Sequence, residues 1–366
     1  MESVNDSVTN ASDDSGDVYY AYEVAYLLSV IVIATIGNSI VLIIYSKKSH
    51  RQSNAALYII NLAIGDLFAV GVAIFHVTEF YPSTWPILWR HNIQCILHRC
   101  CRYTAFNVTV FTMVAVAIDR YFAVCRPIKF KSICTLKRTK RIILMMWISA
   151  IVCSIFESFH GKVKYDPSSD SDYSDEQFAC KFPAPFGEWF RYVKLTYVNG
   201  LLFYIPVTVT FVLYIKIILV VWNRRNGIAK HSTSRDSNAH IRTTRTLFIV
   251  FIAYVSCYVW FATYKIVLLF DKKSLTDLLK SLGNMIPFIN SCLNPFIYSF
   301  TSSTFRKYAV KLFCNKYNSS RDQSRKTVST IAISTSDVDT RGRPTVSGET
   351  NSSTLHSSSS NCDMPI

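Results

Sequence analysis

The sequence predicts an all-α membrane protein: a seven-transmembrane helix bundle with its N-terminus outside, a short amphipathic eighth helix and a disordered cytoplasmic tail. Three observations predict it. Of the 366 residues 50% are hydrophobic and 17% charged, too few charges to clothe soluble domains of that length. Uncharged runs recur along the chain at the length a hydrocarbon core demands, roughly 20 mostly apolar residues. Basic residues gather in alternate connections between those runs.

Residues 1–20 form an acidic segment without Lys or Arg, expected to be disordered and extracellular. Asn5 (NDS) and Asn10 (NAS) are glycosylation acceptors there, whereas the triplet at Asn107 lies inside a span, where glycosylation is impossible. No basic region followed by a short apolar core precedes the first run, so span one is expected to serve as an uncleaved signal anchor.

The membrane domain covers 21–304, with uncharged runs at 24–46, 103–118, 142–156, 195–215, 246–264 and 281–305, and a further apolar segment, 52–78, broken only by Asp66. Buried helices of a soluble fold are the alternative, but long runs without a polar face rarely recur seven times in one. Lys47, Lys48 and Arg51 follow span one, and seven basic residues between Arg126 and Arg141 follow span three. Another group runs from Arg224 to Arg245 after span five, and Arg306, Lys307 and Lys311 follow span seven. These loops are therefore cytoplasmic. A net charge of +15 also has a nucleic-acid reading, but charges seated beside membrane spans fit anionic lipids and a cytosolic partner, with no nucleic acid.

The topology sorts the eleven cysteines. Cys95, at the outer start of span three, and Cys180, the one cysteine of the outer loop before span five, face an oxidising medium and are expected to form a disulfide; two unrelated free thiols are the alternative. Residues 305–315 form the amphipathic helix, with Phe305, Tyr308, Ala309 and Leu312 on one face and the basic residues largely off it. Cys314 closes it as a palmitoylation site or an unmodified thiol. The Ser/Thr-rich tail 316–366 lacks apolar periodicity and offers hydroxyls to kinases, and through them to arrestin.

Charge inside an apolar span invites a functional reading, because it costs a few kcal/mol at mid-bilayer. Asp66 in NLAIGDLFAV is one case, with Asn38, Thr109, Asn290, Ser291 and Asn294 on other spans as oxygen ligands for a sodium ion; a hydrogen-bonded aspartate that fixes packing is the alternative. No other cofactor is expected. Asp119 and Arg120 in AVAIDRYFAV are a second case. Pro206 and Pro295 interrupt spans five and seven, and the Asn294 side chain is expected to satisfy backbone groups freed near Pro295.

Over about residues 20 to 315 the chain resembles the rhodopsin-like G-protein-coupled receptors. The motifs that carry the likeness are Asn38 in GN, Asp66 in NLAIGD, Cys95 and DRY (Asp119–Tyr121), Trp147, Pro206, Tyr214, and NPFIY (Asn294–Tyr298) followed by Phe305. The resemblance implies a plasma-membrane receptor that binds an extracellular ligand and activates a heterotrimeric G protein. It further implies that Asp119 restrains Arg120 at rest, that Arg120 reaches Tyr214 and Tyr298 on activation, and that Ile128 is the apolar plug for the G protein. The sequence departs from the family in span six, where Tyr254, Tyr258 and Trp260 replace its phenylalanine, tryptophan and proline. His240 stands where many members have an acid that locks the arginine, and Asp236 lies one turn earlier, so raised basal signalling is expected.

For the ligand pocket the candidates are Arg99, Arg102, Tyr103, Phe106, Lys194, Tyr258, Lys265 and Phe288. Arg102 reverses the charge that amine receptors of this family carry, and Phe288 stands where opsins have the retinal lysine. The basic residues suit a carboxylate, phosphate or peptide carbonyls, although Arg102 paired with Glu79 or Glu157 is equally open. The acidic loop that ends at Cys180, YDPSSDSDYSDEQFAC, reads either as a lid above the cavity that steers a cationic peptide inward or as a merely solvated, disordered loop. A neuropeptide-like peptide is the expected ligand, with a small anionic or lipid metabolite second. A seven-span transporter or channel is the rival class, disfavoured by the lack of an inverted repeat. An enzyme is not expected, as no HExxH or GxSxG motif occurs.

Overall fold

The computed structural model describes residues 3–47, 53–78, 91–159, 162–165, 178–181, 187–226, 235–270, 277–303 and 305–310. The chain divides into Met1–Phe305 and Arg306–Ile366. In the first unit, span one is α1 (Ser3–Tyr45), span two α2 (Asn54–Val77), span three α3 (Asn92–Cys125) and span four α5 (Leu136–Ser158), with a short α4 (Pro127–Ile133) between the last two. Span five joins α6 (Glu188–Leu195), a π-helical stretch (Thr196–Tyr204) and α7 (Ile205–Asn226). Span six is α8 (Arg235–Phe270) and span seven α9 (Asp277–Thr301). Of the second unit, 306–310 is helical; Cys314 and the tail lie outside the described residues.

Six of these helices are long and apolar enough to cross a membrane. Span seven, 25 residues, is also long enough, but Asn284, Asn290, Asn294 and two prolines dilute its apolarity. Met145, Ile148, Val152 and Ile155 share one exposed face of span four. In water such a face is a liability; against acyl chains it is the fitting surface.

Two elements differ from the sequence reading. Helix α1 starts at Ser3, so the segment expected to be disordered over 1–20 is helical from that residue on, with no proline and only Gly16 to interrupt it. Its side chains, those of Asn5 and Asn10 included, are outside the described set. The outer loop before span five also forms an antiparallel hairpin, β1 (Lys162–Tyr165) with β2 (Phe178–Lys181), in which Val163 faces Cys180. The acidic lid between these strands, 166–177, lies outside the described residues.

The prolines reshape the backbone as their chemistry requires. Pro206 has no N–H to give, and just before it the ladder widens: the Ile205 N–H bonds the Gly200 carbonyl, five residues back. Pro295 orphans the carbonyl of Ser291, four residues earlier. Asn38 of span one, rather than the expected Asn294, satisfies it, donating Nδ2 to Ser291 O at 2.8 Å. That bond needs close helices, and Gly37 provides the approach: a Cβ there would lie 2.6 Å from Pro295 Cγ. Span six holds no proline and runs as one 36-residue helix.

Candidate functional site

At the inner end of span three Asp119 and Arg120 are 4% and 3% exposed. Arg120 donates Nε to Asp119 Oδ2 at 3.1 Å, and Nη2 reaches the same oxygen. Tyr214 lies within electrostatic range of Arg120, its ring packed on Phe248 and Phe251 at 5.0 and 5.6 Å. Tyr298 is buried within electrostatic range of Tyr214, and packs edge-on to Tyr45 at 6.4 Å. The structure thus gathers Asp119, Arg120, Tyr214 and Tyr298 at one end of the bundle. Tyr121 stands apart, edge-on to Phe122. Ile128 on α4, which follows span three at this end, is an apolar side chain 88% exposed.

Partners that the sequence did not disclose complete this end. Asn54, the first residue of α2, donates Nδ2 to Asp119 Oδ1 at 3.2 Å and to the Cys134 carbonyl at 2.7 Å. The Cys134 thiol lies within range of the same carboxylate; burial first, then the Asp119 charge, push that thiol up to about 11. On span six His240 packs edge-on to Phe130 at 5.5 Å, while the side chain of Asp236 is outside the described set.

In the middle of the bundle the Asp66 carboxylate accepts Asn294 Nδ2 at 2.8 Å and the Ser291 hydroxyl. Among the described residues the buried Oδ1 atoms of Asn38, Asn290 and Asn294 have no hydrogen-bond partner. Hard oxygen acceptors of this kind fit a hard monovalent cation. Thr109 instead donates to the Ala105 carbonyl of its own helix at 3.0 Å. Asn61 braces spans two, three and four: it accepts Trp147 Nε1 at 2.9 Å and donates to Thr112 Oγ1 at 2.8 Å.

Toward the other end of the bundle a cavity of about 50 Å³ is lined by Arg102, Tyr103, Phe106, Tyr258, Phe288 and Ser291, among others. Five of the eight expected pocket residues therefore meet in one cavity. Arg102 lies over the Phe288 ring at 5.6 Å. Arg99 donates to Tyr103 Oη at 3.2 Å, and Lys265 sits over Phe261 and Tyr264 at 5.3 and 4.6 Å, above the cavity rather than in its wall. Glu157, fully buried, accepts from Asn107 at 3.4 Å and lies in range of Lys194 and Arg99, not Arg102; Glu79 is outside the described residues. In the cavity wall the Tyr258 ring packs tilted against Phe106 at 4.9 Å and, away from the cavity, against Tyr254 at 4.6 Å. This replacement for the family's tryptophan is thus seated in an aromatic cluster, while Trp260, at the proline position, is exposed. Cys95 is disulfide-bonded, and Cys180 belongs to β2.

The pattern of the 7 transmembrane receptor (rhodopsin family) matches residues 37–298, well over half of the chain. The chain is similar to growth hormone secretagogue receptor type 1 of Sus scrofa, 25% identical over 301 residues and 79% of each chain. It is similar to the Mus musculus receptor of that name at 26% over 302 residues, again 79% of each. It is also similar to the allatostatin-A receptor of Bombyx mori, 26% identical over 314 residues and 82% of each. With the buried Asp119–Arg120 pair at one end and an aromatic, cationic cavity at the other, the chain belongs to the rhodopsin family of seven-transmembrane receptors, and is a multi-pass receptor of the plasma membrane rather than an enzyme.

Proposed function

We propose that the chain binds an extracellular peptide and catalyses nucleotide exchange on a heterotrimeric G protein. The observation that carries it is the inner constellation: a buried arginine held by its neighbouring aspartate, with Tyr214 in range and Tyr298 beside it. Held by Asp119, Arg120 is withheld from the cytoplasm; released, it has two phenol rings to lie against and an open end to present to the G protein. Exposed Ile128 supports a partner that docks on that face. The peptide reading draws on relatives named for a growth hormone secretagogue and for allatostatin-A. A small anionic or lipid metabolite is the second reading, favoured by Arg102 in the cavity wall.

Several site assignments accompany this proposal. Cys95 pairs with Cys180 and ties the hairpin over the bundle. Asp66, Asn38, Asn290, Asn294 and Ser291 hold an allosteric sodium ion, which supplies a positive charge that favours the resting packing of spans two and seven. The N-terminus is outside, carries glycans at Asn5 and Asn10, and opposes a cytoplasmic eighth helix palmitoylated at Cys314. The Ser/Thr tail takes phosphate from receptor kinases and recruits arrestin.

The decisive experiment compares ligand-free incorporation of a labelled GTP analogue in membranes bearing the intact chain or Arg120→Ala. Exchange that depends on Arg120 supports the receptor; equal incorporation together with an ion current overturns it in favour of a transporter or channel.

A further inference from the structure

The Asp119 carboxylate is gripped from two directions. Arg120 holds one oxygen and Asn54 Nδ2 reaches the other at 3.2 Å, with the Cys134 thiol near enough to feel the charge. Asn54 also fixes the loop that supplies this thiol, because its second amide proton goes to the Cys134 carbonyl at 2.7 Å. Cys134 in turn caps α4, its N–H on the Phe130 carbonyl. The end of α4 is therefore fastened to spans two and three at the aspartate.

The middle of the same helix reaches span six. Phe130 meets the His240 ring edge-on at 5.5 Å, at the position where many family members place an acid against the arginine. Two residues before Phe130, Ile128 projects to the cytoplasm. One seven-residue helix, started by Pro127 at its first turn, thus carries a fastening to Asp119, a contact with span six and an exposed apolar knob. A helix that short and bonded at its end moves as a unit.

We infer that α4 is the resting clamp of this receptor: Asn54 and Cys134 are positioning residues that hold Asp119 on Arg120, and Phe130 retains span six through His240. The clamp presupposes the exchange activity proposed above. It explains how a chain with histidine at the locking position restrains span six, and it gives docking a route to the arginine. A partner that seats on Ile128 shifts α4, parts Phe130 from His240 and draws Cys134 from the carboxylate, so that one rigid displacement frees both span six and Arg120.

Two readouts test it on the full chain in membranes, each normalised to surface receptor. The first is ligand-free incorporation of labelled GTP analogue with a panel of purified heterotrimeric G proteins. Asn54→Leu should raise it roughly tenfold, the scale of one hydrogen bond to a charged group, and Phe130→Ala roughly threefold or more, the scale of one aromatic pair. His240→Phe, which keeps a ring, should give a smaller rise than His240→Ala, and Phe130→Ala with His240→Ala should give no more than either alone. The second readout needs no G protein: alkylation of Cys134 at pH 8, followed by peptide mass spectrometry, should accelerate in Asn54→Leu. If basal exchange still depends on Arg120 but is unmoved by Asn54→Leu and Phe130→Ala, the receptor stands and the clamp falls. If no variant supports exchange, the receptor reading fails, and an unchanged Cys134 rate in Asn54→Leu overturns the clamp independently.

Discussion

Gly37→Ala probes the seam that the bundle depends on for its proline-broken span. The new Cβ would lie 2.6 Å from Pro295 Cγ and 2.9 Å from its Cβ. A proline ring cannot swing aside as a flexible side chain does, so the two helices must part. Overpacking of this kind costs about 1–3 kcal/mol, and the rigidity of both partners argues for the upper end. Parting the helices also stretches the 2.8 Å bond from Asn38 to the Ser291 carbonyl, about 1 kcal/mol more. Against this, alanine is the better helix former by about 1 kcal/mol. The net loss is about 2–3 kcal/mol, which for a chain this size lowers the unfolding temperature by about 3–4 °C. Gly71 supplies the control, since nothing lies within 4 Å of its Cβ position and Gly71→Ala should raise the temperature by about 1 °C. Unfolding of the purified chain in detergent, followed with a thiol-reactive fluorogenic dye that reports exposure of buried Cys257 and Cys292, measures both. If Gly37→Ala melts no lower than Gly71→Ala, the seam is not close-packed as described.

Three further outcomes follow from the same geometry. Asp119→Asn removes the charge that, after burial, helps hold the Cys134 thiol up at about 11, so its thiolate fraction at pH 8 rises and alkylation should speed by roughly threefold or more; an unchanged rate would mean burial alone protects it. If the Asp66 cluster holds sodium, replacing potassium by sodium chloride at equal ionic strength should raise the melting temperature of the parent and not of Asp66→Asn. A peptide found active in a library screen should lose about tenfold in potency on Arg102→Ala, the scale of one charge-assisted contact; potency within twofold of the parent would remove Arg102 from the ligand site.

What could be read in advance was whatever a local pattern encodes. Apolar runs, loop charge and proline positions gave the spans, and Asp66, Asn294 and the Asp119–Arg120 pair were visible as charge or amide where lipid is expected. Pairings between distant residues were not: Asn54 meets Asp119 across 65 positions and the Cys134 carbonyl across 80. An asparagine directly after Ser53, whose hydroxyl caps α2, reads locally as a helix start and nothing more. Pro206 announced a disturbance of span five but not its form, because a π-helical stretch is one of several ways to accommodate a missing donor. Asn294 was assigned the carbonyl freed by Pro295 because it is adjacent in sequence; Asn38 holds it because helix packing, not adjacency, decides who faces an orphan group.

The distribution of satisfied and orphaned polar groups separates a frame from moving parts. Asn61 joins spans two, three and four through Trp147 and Thr112, and Asn54 uses its amide nitrogen on Asp119 and the Cys134 carbonyl. Spans six and seven differ: among the described residues the buried hydroxyls of Tyr254 and Tyr298 and the Oδ1 atoms of Asn290 and Asn294 have no partner. Each such group costs about 1–3 kcal/mol while it stays buried and unpaired. A bundle that needed only one packing would gain by replacing those tyrosines with phenylalanine. The orphans become advantageous when a second packing supplies partners, since the unmet bonds of one state then stabilise the other. Others lie outside these two spans: Asn38 Oδ1 in span one, Thr210 Oγ1 in span five, Ser158 Oγ in span four, and Asn107 Oδ1 with Glu157 Oε2, one bonded pair in spans three and four with Arg99 in range. Four of the partnerless polar atoms therefore fall on spans six and seven, and a fifth, Asn38 Oδ1, sits on the amide that grips span seven, while Asn61 and Asn54 brace spans two, three and four as the fixed reference.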